Sequence, residues 1–167
     1  MTGSLWLDAK PSLANPLDLA EQVLTDRDWA YDRSAEAQEI IADTAGSWCD
    51  YRVWLNWHEA FGALTFSCAI DTKVPTAMEA KIFPLLAKVN EKMWLGHFDL
   101  AGDMIAFRYS MLLKGVSGVS LQQVEDLLDI ATTECERFYP AFQSVIWGGM
   151  TSDSALDMLL LDTVGEA

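Results

Sequence analysis

Glu134, Cys135 and Glu136 stand side by side in ECERFYPAFQSVIWGG, which also packs three Phe/Tyr rings, a proline and a tryptophan into sixteen residues. A thiol between two carboxylates has the donor types of a metal site, but on a helix successive side chains point about 100° apart. The two glutamates therefore diverge to either side of Cys135, and the three cannot share an ion without ligands from elsewhere. His58 and His97 are the only histidines, and histidine is the usual proton carrier near neutral pH. His58 adjoins Glu59 in a stretch that reads as a hairpin loop with no nucleophile beside it, so a solvated pair is the simpler reading. His97 and Asp99 lie two apart on a strand-like stretch, hence on one face, where they could ligate a metal together. No third ligand has a defining spacing, and an ordinary polar sheet face explains the pair more cheaply. Patterns for a nucleophile elbow, a zinc protease, a phosphate loop, paired zinc ligands or an EF-hand do not occur. Cys49 and Cys68 alternate with the apolar sides of neighbouring strands, with nothing basic placed to lower their pKa, and read as packing residues. No catalytic residue, metal or cofactor is expected.

The bulk properties agree with a binding or structural role. With 167 residues and 51% hydrophobic composition, one domain can bury roughly 70% of its unfolded surface without staples. Three cysteines without a CxxC pair leave one over in any disulfide scheme, which fits a reducing, cytoplasmic setting. The first residues, MTGSLWLDAKPSLAN, carry neither a basic start nor an apolar run of signal length, and no run of about 18 apolar residues occurs, so a membrane location is not expected. Twenty-five acids against eleven Lys and Arg give a formal charge of −14, which repels phosphate backbones and anionic headgroups; nucleic acid is excluded as an expected partner.

The elements that must position these residues follow from periodicity and caps. Residues 1–14, around Leu5-Trp6-Leu7, read as a mobile arm, and 15–167 as a single domain. Asn15 as N-cap, Pro16 at the first helical position and Asp18 in the first turn open a helix to about Arg27, with Leu17, Ala20 and Leu24 as its stripe. Tyr31 to Ala45 alternates weakly and reads as one extended, edge-like segment ending near Gly46. Trp48 to Trp57 and Ala63 to Asp71 alternate with period two and form an antiparallel hairpin through HEAFG. Pro75 and a Thr76-x-x-Glu79 capping box start a helix with Met78, Ile82, Leu85, Leu86, Val89 and Met93 inward and a kink at Pro84. A second hairpin turns at Gly102-Asp103. Ser120 and Gln123 then make a capping box, with Val119 and Val124 as its staple, for a long helix whose inward seam runs Leu121, Val124, Leu128, Ala131, Cys135, Phe138, Phe142 and Val145. Pro140 bends it, Gly148-Gly149 ends it, and Ser152 or Ser154 caps a last helix with Leu156, Leu159, Leu160 and Val164 on one side. The expected fold class is α+β: a single antiparallel sheet of about five strands, order α-β-β-β-α-β-β-α(-α), with helices packed on one face.

That arrangement leaves one sheet face outside the core, and it should carry Trp48, Arg52 and Trp54 together with Thr65, Ser67, His97, Asp99, Arg108 and Ser110. Two tryptophans and two arginines on a nominally polar face have the composition of an interface. Trp48, Arg52, Trp54, His97, Asp99 and Arg108 are the candidate partner-binding residues. Cover by the arm, by a terminal helix or by a dimer partner would explain them equally well.

The segments WCDYRVWLNW, VNEKMWLGHFDL and ECERFYPAFQSVIWGG, in this order and at these separations, resemble the YbjN-domain family of bacterial proteins over nearly everything from Asn15 onward. The resemblance implies a fold like that of the type III secretion chaperones, small acidic α+β proteins that dimerise and bind segments of other proteins, and a regulatory role in signalling. It supplies no catalytic residues. The expected function is therefore a non-enzymatic, chaperone-like or adaptor module, homodimeric and bound to protein partners. The alternative is a small-molecule sensor or an enzyme with a polar pocket around His97, Asp99, Arg52 and Arg108.

Overall fold

A computed structural model describes residues 14–164; of the segment read as an arm, only Ala14 falls within them. In chain order the elements are α1 (Pro16–Asp26), β1 (Ala30–Ser34), β2 (Glu39–Ala45), β3 (Asp50–His58), β4 (Ala63–Lys73), a 3-10 turn (Thr76–Met78), α2 (Glu79–Asn90), β5 (His97–Ala101), β6 (Met104–Leu112), α3 (Leu121–Ile146) and α4 (Ser152–Val164). The strands make one antiparallel six-stranded sheet in the order β1-β2-β3-β4-β6-β5. Every strand connection but one is a hairpin; α2 carries the chain from β4 around to β5 at the far edge, so that β6 closes back against β4.

The α+β class and the single antiparallel sheet are as the sequence implies. The strand count differs because Tyr31 to Ala45 is not one segment. It folds on itself as the hairpin β1–β2, turning through residues 35–38, where Gln38 takes a positive φ of 50° and its side-chain amide donates to the Ala35 carbonyl at 2.7 Å. That turn lacks the glycine that usually supplies positive φ, so its composition conceals it.

Local signals place most helix ends. Asn15 accepts the Leu17 N–H at 3.0 Å, and Ser120 and Gln123 form the complete capping box, with Gln123 N–H to Ser120 Oγ at 3.1 Å and Ser120 N–H to Gln123 Oε1 at 2.8 Å. Two caps are not where the sequence puts them. Chain entry to α2 is a 3-10 turn in which the Met78 N–H bonds to the Pro75 carbonyl and the Glu79 N–H to the Thr76 carbonyl. The amide that a Thr76 capping box would satisfy is thus already taken, and no box forms. At α4 the cap is Thr151, whose Oγ1 accepts the Ser154 N–H at 3.2 Å, one residue before Ser152 and three before Ser154. Pro84 and Pro140 both lie inside their helices.

Helices α1, α2 and α3 cover one face of the sheet, and α4 packs on α2 and α3. Ile40, Val53, Leu55, Phe66, Cys68, Ile105 and Phe107 point inward from the strands to meet Leu17, Leu24, Ile82, Leu85, Val124, Cys135, Phe138 and Phe142 in one core cluster. Phe98 sits among Phe107, Phe138 and Phe142 with ring centroids 5.9, 5.9 and 5.3 Å away in edge-to-face geometry, the arrangement that aromatic quadrupoles prefer. This is where the ECERFYPAF segment goes: Cys135 is fully buried on the seam with its Sγ 3.8 Å from Cys68 Sγ, while Glu134 pairs with Arg137 at 3.4 Å and Glu136 turns toward the β2–β3 loop.

That loop determines where β3 begins. Gly46 N–H bonds to the Cys49 carbonyl at 2.9 Å, closing a tight turn, and a side chain at Gly46 would run into the Tyr51 ring, the Glu136 carboxylate and the Cys49 carbonyl. Only glycine lets these groups approach so closely.

Candidate interaction face

Directly opposed residues on antiparallel strands point to the same side of a sheet, so the strand register fixes the make-up of the uncovered face. Two adjacent rows cross it. One runs Ile41, Trp54, Ser67, Arg108, His97; the other runs Asp43, Arg52, Ala69, Ala106, Asp99. Arg52, Trp54, His97, Asp99 and Arg108 thus gather on one surface, flanked by Asn56, Thr65 and Ser110 in the next row.

Trp48 does not join them. The turn closed by Gly46 delays β3 until Asp50, and Trp48 swings to the opposite side, where its ring stacks on Tyr139 of α3 at 5.9 Å and an interplanar angle of 16°. A strand running from Trp48 would have put it on the open face; the turn breaks that alternation.

The charged groups on the face are organised as ion pairs. Arg52 binds Asp43 with both limbs of its fork, Nε to Oδ1 at 2.7 Å and Nη2 to Oδ2 at 3.0 Å. The hydrogen bond from Arg52, with its charge, holds the Asp43 carboxyl below its ordinary range and raises the guanidinium in turn. Both side chains are more than half exposed, so the pair orients Arg52 more than it stabilises the fold. Arg108 reaches diagonally to Asp99 Oδ2 at 3.2 Å, and the other oxygen of Asp99 accepts the Leu100 N–H at 2.8 Å. His58, at the end of β3, approaches Thr65 Oγ1 at 3.2 Å through Nε2.

Beside the Asp43–Arg52 pair lies a groove of about 470 Å³ whose lining includes Asp43, Ala45, Asp50, Arg52, Trp54, Ala69, Asp71 and Met104. Its origin is a register shift between Ala69 and Lys73, where Ala69 opposes Ala106 but Lys73 opposes Met104. Extra residues on one strand bend it, and the bend makes the sheet concave here. Ala69 and Ala106 are each only 2% exposed although no helix among the described residues lies over them; the larger side chains around them contribute to the shielding. Asp43, Asp50, Asp71 and Met104 are functional candidates that the sequence reading did not single out. Alternation places Asp71 on this side, and Met104 with it as the residue two before Ala106 on β6, but Asp43 sits in the concealed hairpin.

The face presents a half-buried indole, two oriented guanidinium groups, carboxylates and hydroxyls side by side. Among the described residues, no helix is long and apolar enough to cross a membrane, and no cluster of three or more His, Cys, Asp or Glu is arranged to hold a metal.

A one-sided antiparallel sheet with helices on its back and a polar, aromatic front defines an α+β platform protein. Residues 16–144 match the sequence profile of the YbjN family, described as "Putative bacterial sensory transduction regulator", and the chain belongs to that family. Among solved structures it is similar to "Crystal structure of YbjN, a putative transcription regulator from E. coli", at 16% identity, covering 74% of this chain and 88% of that one with a TM-score of 0.50. At that identity the likeness concerns the fold. No curated protein sequence matches the chain.

Proposed function

We propose that this protein is a non-enzymatic regulatory module that works by binding protein partners through the open face of its sheet, as a homodimer in the bacterial cytoplasm. The observation that carries the reading is the pair of cross-strand rows holding Trp54, Arg52, Arg108, His97 and Asp99 on a face that no helix among the described residues covers. Tryptophan and arginine are the residues most enriched where binding energy concentrates, and here both arginines are held in place by carboxylates before any partner arrives. The description of the family as sensory transduction regulators agrees with a protein that acts through contacts rather than turnover.

The test is affinity capture from native lysate at physiological salt, comparing the parent with a Trp54→Ala, Arg52→Ala, Arg108→Ala variant first shown to be folded by circular dichroism. A partner held by the parent and lost by the variant supports the open face. Identical partner sets for both proteins would remove the binding site from this face. Sedimentation at tens of micromolar reads the dimer separately, and a monomer there would reject that part of the reading.

A further inference from the structure

Resting on that reading of the open face, we propose that the groove beside Trp54 receives an extended segment of a partner protein carrying a lysine or arginine next to an apolar residue. Part of the lining is apolar: Ala45 and Ala69 contribute only methyl groups, with Trp54 and Met104 beside them. The rim is acidic: Asp43, Asp50 and Asp71 stand against the single guanidinium of Arg52. Asp43 already occupies that guanidinium through two hydrogen bonds. Asp50 and Asp71 take part in no ion pair among the described residues. Lys73, the next basic residue along β4, is held by Asp103 at 3.4 Å and does not line the groove.

An anionic occupant would meet the carboxylates of Asp50 and Asp71 and find Arg52, the one arginine among the described lining residues, engaged by Asp43 and biased further by the charge of Asp71. A cationic side chain meets the opposite: two carboxylates outside any ion pair among the described residues and the face of an indole, which attracts ammonium and guanidinium groups. The groove is also continuous with the row that runs from Trp54 through Ser67 to Arg108. A chain lying along that row can place an apolar side chain on the alanines and a basic one at the rim, which an isolated small cation cannot do.

The experiment is an NMR titration of the full chain with the capped pentapeptide Leu-Arg-Leu-Lys-Leu, with Leu-Glu-Leu-Asp-Leu and spermidine as comparisons. The expected result is saturable shifts at the Trp54 indole N–H and the Ala45 and Ala69 amides with the basic peptide alone. Affinity should fall at least about fivefold in Asp50→Asn/Asp71→Asn, and also between about 50 and 500 mM salt. Asp71→Lys provides an independent reversal of the rim charge should the double variant not fold. Absence of shifts, shifts confined to the helices, or unchanged affinity in the rim variants would overturn the proposal. Spermidine binding as tightly as the peptide would make this a small-cation site instead. Shifts at Trp54 with the acidic peptide only would reject the basic segment yet leave the open face as a binding surface, a separation that the capture experiment checks independently.

Discussion

Glu136 Oε1 accepts the Tyr51 hydroxyl at 2.9 Å and the Ser47 backbone N–H at 2.6 Å, tying the long helix α3 to the loop that starts β3. The phenol is pushed far above its ordinary pKa, first by burial and then by its hydrogen bond to the Glu136 carboxylate. Because the folded value exceeds the unfolded one, this contribution to stability is complete below about pH 10 and declines as pH rises beyond it, where the unfolded chain releases the proton and the folded chain keeps it. Tyr51→Phe should cost about 1–2 kcal/mol at neutral pH and flatten the alkaline limb of the stability curve. Urea denaturation of parent and variant between neutral pH and pH 11 measures both, and equal stabilities across that range would remove the tie from any account of the fold.

The two edges of the sheet differ. At β5 the Asn90 side chain donates to the Phe98 carbonyl at 3.0 Å and accepts the Phe98 N–H at 2.7 Å, and Asp99 accepts the Leu100 N–H. A side-chain amide thus stands where a further strand would pair. Asn90→Ala leaves two backbone groups of a buried residue unmet and should cost about 2–3 kcal/mol. It should also raise concentration-dependent light scattering as the edge opens. A variant as stable and as monodisperse as the parent would show that the edge needs no such block.

Helix α1 ends in a Schellman arrangement: Trp29 N–H bonds to the Leu24 carbonyl at 3.0 Å and Asp28 N–H to the Thr25 carbonyl at 3.1 Å, with Asp28 at φ 55°. This left-handed position favours glycine. Asp28→Gly should therefore raise stability by about 0.5–1 kcal/mol, seen as a higher thermal midpoint. A lower midpoint would mean that the aspartate does something for the fold beyond adopting the turn.

Thiol chemistry should divide the three cysteines. Cys68 and Cys135 are fully buried, while Cys49 is half-buried. Cys135 is raised well above its usual value by the Cys68 thiol and burial, and burial also raises Cys49. Since the thiolate is the reactive form, an aromatic disulfide reagent should modify at most Cys49, slowly, in the native protein and all three in denaturant. Rapid native labelling of two or more thiols would show that the β4–α3 packing opens readily.

Much of the architecture was legible in local signals. Period-two alternation in β3, β4 and β6 put Arg52, Trp54 and Arg108 on the side away from the core, because one strand step flips a side chain across the sheet. The Asn15 cap and the Ser120–Gln123 box each involve residues within three positions and needed no tertiary information. The buried seam around Cys135 likewise follows from helical spacing alone, and it answers the chemistry that Glu134 and Glu136 suggested.

What local signals could not supply was anything set by approach between distant segments. The β1–β2 turn carries no glycine and is held in part by Asn15 donating to Gln38 Oε1 across 23 positions. Trp48 left the predicted face because Gly46, Tyr51 and Glu136 meet in one place, and Met104 stands opposite Lys73 because β4 takes extra residues against β6. Composition and periodicity determined which residues are inward and which outward, since those depend only on spacing along one element. Tertiary structure decided which outward residues are neighbours, since strand order, register and bulge are set by how separate elements fill a common core.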